Sequence, residues 1–108
     1  AKAVAALPRL GPDSPDAVAA AVKAAADKTY SLRAAAAAAL GRFAPPPDAA
    51  VTKLADLAAA DPVLPVRLAA LRSLAELGPS ANAVRGRVEP LAADKSPPVA
   101  LGAKVVLA

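Results

Sequence analysis

The chain contains no cysteine, histidine, methionine or tryptophan, and only one tyrosine and one phenylalanine. Without cysteine there are no disulfides and no thiolate metal sites. Without histidine the usual general base of a nucleophilic dyad or triad is missing, and haem ligation by His or Met is excluded with it. The lack of cysteine fits a reducing cytoplasm and an oxidising space equally. Long apolar runs are also missing. No stretch free of Asp, Glu, Lys and Arg exceeds eight residues, as at residues 34–41, whereas a membrane-spanning helix needs roughly 20. The chain shows no basic-then-apolar leader and does not begin with Met, which gives the expectation of a processed or excised segment.

Alanine is abundant, with 34 of the 108 residues. The mean hydropathy of +0.42 therefore overstates the core, because a methyl group buries little area. The larger apolar residues are chiefly leucine and valine, and they recur. Asp27, Asp61 and Asp94 each stand five residues before an aliphatic residue: Leu32, Val66 and Val99. A second marker, Leu10-Gly11-Pro12, Phe43-Ala44-Pro45 and Leu77-Gly78-Pro79, keeps the same period of 33 to 34 residues. Two independent markers holding one period define a repeat.

Each unit reads as two helices. Ser14-Pro15-Asp16 is a helix start, with a side-chain acceptor, a proline that needs no amide partner and an acid at the positive dipole end. Val18 and Val22 follow at four-residue spacing. Pro47-Asp48 opens the equivalent helix of the next unit, where Val51, Leu54 and Leu57 share a face. Residues 83–93 form the third copy, with Val84, Val88 and Leu91, and Pro90 is expected to kink or shorten it. The second helices start at the aliphatic–Arg pair, preceded by Pro65 or Pro98. In the clearest copy Val66, Ala70, Leu74 and Leu77 form one stripe. Gly78, in a left-handed cap, and Pro79 are expected to end that helix. The predicted architecture is all-α: a partial helix at 2–10, unit one at 13–44, unit two at 47–78 and unit three at 81–108. These pairs are too poor in large side chains to stand alone, so units must stack. Leu32, Leu40, Phe43, Leu54, Leu57, Val66, Leu74, Leu77 and Val88 are the expected stacking residues. Neither end reads as capped, so the segment is expected to continue into further repeats or to pack against a partner.

The run from Asp61-Pro62-Val63-Leu64-Pro65-Val66-Arg67 through Leu77-Gly78 resembles the HEAT-repeat family, in its short bacterial-style variety. That resemblance extends over residues 13–99 and implies an α-solenoid. It further implies that an Asp ending the first helix and an Arg six residues later form a hydrogen-bonded ladder between stacked units. Asp27 with Arg33, and Asp61 with Arg67, match that pair. Asp94 lacks its arginine, since Ala100 stands there, and Gly102 and Lys104 replace Ala69 and Leu71 of the preceding unit. Unit three is therefore expected to pack less regularly.

The nine carboxylates all have structural uses. Asp27, Asp61 and Asp94 mark helix joints, Asp13, Asp16 and Asp48 mark helix starts, and Asp56, Glu76 and Glu89 fall on faces expected to be solvated. No glycine-rich phosphate loop is present. The sequence predicts no catalytic residue, no metal site and no cofactor. The net charge is +4 and unevenly spread. Lys2, Arg9, Arg33, Arg42, Arg67, Arg72 and Lys104 belong to the second helices, against one acid, Glu76. In the family these helices line the concave side, so the resemblance implies a basic groove. The leading expectation is a non-catalytic protein–protein interaction scaffold. Arg42, Arg72 and Glu76 would face an acidic or helical segment of a protein partner, or further repeats of its own parent chain. One alternative is binding to a nucleic-acid backbone through the same face, disfavoured by the shortage of stacking aromatics and dense basic clusters. Another is a repeat region of a larger enzyme whose active domain lies elsewhere.

Overall fold

The computed structural model describes residues 15–43 and 46–108. The helix expected at 2–10, the acceptor Ser14 and the cations Lys2 and Arg9 lie outside the described residues. Six α-helices follow in order: α1 (Pro15–Ala24), α2 (Tyr30–Leu40), α3 (Asp48–Ala60), α4 (Leu64–Leu77), α5 (Arg85–Val88) and α6 (Pro97–Leu107). Two 3-10 segments, Gly78–Val84 and Glu89–Ala93, flank α5. Among the described residues there is no strand.

The helices form two layers. α1, α3 and the broken α5 segment make one layer. In the other layer α2 packs on α4 and α4 on α6, while each also packs on the first helix of its own unit. The shortest dimension of the Cα trace is 15 Å. Two helix axes about 10 Å apart, with a Cα radius of about 2.3 Å on each side, give that thickness. The described residues form an all-α solenoid of three stacked pairs.

Local chemistry sets the boundaries. Pro47 is extended before α3 (φ −70°, ψ 156°), and Asp48 places its charge in the first turn. Proline occupies the first turn of α4 and of α6, where no amide is missed. The second helices begin two residues before the aliphatic–Arg pair and not at it, so α2 starts at Tyr30. Gly78 has φ 56° but ψ −128°, a positive-φ conformation open to glycine yet outside the left-handed helical cap. Nor does the chain leave the helical region after Pro79: it tightens into 3-10 turns. Pro90 divides the third first-layer helix as anticipated, into a single α turn and a second 3-10 segment. Val84, Val88 and Leu91 remain buried across that break.

The core is made as much of alanine as of larger residues. Ala17 and Ala21 form the deepest row of α1, continued by Ala25 just past its end, with Val18 and Val22 only half-buried beside them. Of the expected stacking residues, Leu32 and Leu77 pack at the margin and the others are buried. Leu71 and Val99, not among them, are fully buried.

Candidate interaction surface

The joints between the two helices of each unit carry a repeated polar device. Each Asp carboxylate accepts the backbone N–H two residues on: Thr29 for Asp27, Val63 for Asp61 and Ser96 for Asp94, all at 2.9 Å. This local turn ends the first helix and sets the entry of the second. The other oxygen of the second and third of these carboxylates is met by an arginine of the preceding unit. Arg33 donates to both oxygens of Asp61, at 2.7 Å and 3.2 Å. Arg67 donates to Asp94 at 2.8 Å. Neither arginine reaches the carboxylate six residues before it. Arg33 instead holds its own turn through the carbonyls of Asp27 and Lys28, and Arg67 through that of Ala58. One guanidinium thus clamps the backbone of its own unit and the carboxylate of the next.

Burial grades these contacts. The Arg33–Asp61 side chains are 13% and 3% exposed, and those of Arg67–Asp94 are 17% and 21% exposed. Burial pushes the Asp61 carboxyl up, but the Arg33 hydrogen bond, the Val63 N–H and the two arginine charges outweigh it and hold Asp61 below the usual carboxylate value. Asp94 is also lowered, first by its hydrogen bond from Arg67 and then by the Ser96 N–H. Among the described residues no buried side-chain N or O atom lacks a partner.

Arg72 and Glu76 lie on α4, whereas Arg42, expected on a second helix, falls in the turn just past the end of α2, and the three come together. They line a groove of 570 Å³ between α2 and α4, with Ala38, Pro65, Leu68, Ala69 and Ser73. Arg72 and Glu76 stand 3.7 Å apart and are 86% and 62% exposed, so this pair adds little stability. Arg42 has no acidic partner among the described residues. The small residues in the groove floor allow close helix approach. Ser73, 3% exposed, donates from its hydroxyl to the Ala37 carbonyl at 2.7 Å. Gly41 faces it, and a Cβ there would lie 2.5 Å from Ser73 Oγ. The buried Ser73 was not legible as a contact residue. The only signal for it was a lone glycine one repeat earlier on a neighbouring face.

Two further arginines have structural partners. Arg87 pairs with Asp56 at 2.6 Å, and Arg85 donates to the Leu107 carbonyl. Among the described residues no three carboxylates gather as a metal would require. No helix there is long and apolar enough to cross a membrane.

The family described as HEAT repeats matches residues 1–75. No curated protein and no solved structure is similar enough to count as a match.

Proposed function

Because this chain belongs to the HEAT-repeat family, we propose that it is a non-catalytic interaction scaffold whose second-helix face receives an acidic protein segment. The observation carrying this reading is the single groove that gathers Arg42, Arg72 and Glu76 over a floor of small residues. The two arginines are exposed and free of the inter-unit clamps, so their charge is available to a partner at little structural cost. Complementary charge steers such an encounter and fixes its register. Asp61 and Asp94 are engaged by arginines and Asp56 by Arg87, so they serve packing.

The phosphate-backbone reading is weaker on the same grounds. Arg85 and Arg87, the closest basic pair in the sequence, are turned to Leu107 and Asp56. The test compares a glutamate-rich peptide with duplex DNA, on the parent chain and on the double variant Arg42→Glu, Arg72→Glu. The scaffold reading expects the peptide to bind the parent and lose at least about tenfold in affinity on the variant, a loss of about 1.4 kcal/mol, with unchanged circular dichroism. Preferential binding of DNA, with affinity falling steeply as salt rises, would replace it.

A further inference from the structure

We infer that the partner is an amphipathic α-helix, its apolar stripe bordered by carboxylates, and that Leu68, Leu101 and Val105 form the apolar half of its docking surface. This inference rests on the scaffold reading and specifies its partner. Leu101 and Val105 are 66% and 59% exposed and lie four residues apart on one face of α6. By the repeat register they stand where α4 has Leu68 and Arg72. Val105 shares a second cleft, of 220 Å³, with Leu68, Leu71, Arg72, Ala75 and Gly102. Leu68 and Arg72 line both this cleft and the Arg42 groove. The basic and apolar regions are therefore one continuous surface.

These exposed side chains do not belong to the edge that stacks units. That edge is marked on α4 by Leu71, which is buried and meets Gly102 of α6. The equivalent position on α6 is Lys104, which is exposed, and the clamp arginine is replaced by Ala100. On that edge of α6 Lys104 and Ala100 thus stand where α4 has a buried leucine and the clamp arginine, while Leu101 and Val105 are exposed beside them.

The helical form of the partner follows from two constraints. Among the described residues there is no strand, and so no open edge to satisfy the backbone of an extended segment; a partner has to satisfy its own. Neighbouring second helices stand about 10 Å apart, which matches residues i and i+7 of a helix rising about 1.5 Å per residue. Leucines at that spacing would contact Leu68 and Val105 while flanking glutamates meet Arg42 and Arg72.

The test uses fluorescein-labelled designed peptides of about 18 residues, five helical turns, at physiological salt. One carries a leucine stripe flanked by glutamate, a second has the same composition reordered to break the stripe, and a third replaces glutamate by lysine. The striped acidic peptide is expected to bind, and the other two at least about tenfold more weakly. Val105→Asp and Arg72→Glu should each weaken binding by a similar factor, with melting curves unchanged because both sites are exposed. Equal binding of the reordered peptide, or indifference to Val105→Asp, overturns the amphipathic partner and leaves the acidic scaffold standing. Loss of all peptide binding overturns both, and so does tighter binding of duplex DNA that Val105→Asp leaves unaltered.

Discussion

A buried carboxylate is costly unless its charge and lone pairs are met, and Asp61 shows how the chain meets them. One oxygen caps the turn through the Val63 N–H, and Arg33 engages both oxygens from the neighbouring unit. Removing the cation leaves that charge buried, so Arg33→Ala should cost about 2–4 kcal/mol in urea denaturation. Arg67→Ala should lower the denaturation midpoint less, because Asp94 retains water on its more exposed side. The same groups give a pH dependence. Both carboxyls titrate below their ordinary value in the folded chain, so the unfolded chain takes up protons first as acid is added. Their contribution is fully present above about pH 4 and declines as pH falls toward the folded-state values. Denaturation midpoints should drop in that window, and Asp61→Asn should flatten the decline.

At the scale of helices, glycine separates two effects that composition cannot. Gly86 lies within α5 with open space around its Cα. Gly86→Ala should raise the melting temperature through helix propensity, a gain of up to about 1 kcal/mol. Gly41 ends α2 with an ordinary negative φ, so conformational freedom is not its role. Its hydrogen makes room for Ser73, and Gly41→Ala should destabilise by roughly 1–3 kcal/mol through overpacking of α2 against α4. Opposite signs from one substitution at two positions would be read directly in paired melts. The same scale explains why the third first-layer helix departs from the pattern. Its apolar spacing survives, but Pro79, Gly86 and Pro90 weaken the α ladder, and 3-10 turns hold the same residues inward.

Across the whole molecule, α4 is the element on which α2, α3 and α6 converge. Leu74 is fully buried there, and Leu74→Ala should cost about 2–5 kcal/mol, while Leu74→Asp should abolish the helical signal in circular dichroism. Arg72→Glu, two residues away but exposed, should leave stability within about 0.5 kcal/mol. That contrast divides the inner and outer faces of a single helix. Stability here is a sum over neighbouring units, and damage at α4 reaches both.

The period of Asp27, Asp61 and Asp94, the apolar spacing between them and the proline at each joint determined the all-α repeat from sequence, because these are local properties of φ, capping and helical periodicity. The same pattern placed Arg72 and Glu76 on a second helix and set Arg33 and Arg67 apart as joint residues, while Arg42 falls just past the end of α2. Only tertiary structure decided which carboxylate each arginine clamps, because that choice depends on the rise from one unit to the next. It also decided that Ser73 is buried against Gly41, and that Leu101 and Val105 open onto the groove while Lys104 takes the stacking edge. A one-dimensional repeat fixes which positions are equivalent. The rotation of each helix about its axis, set by how closely alanine and glycine let neighbours approach, fixes what those positions face.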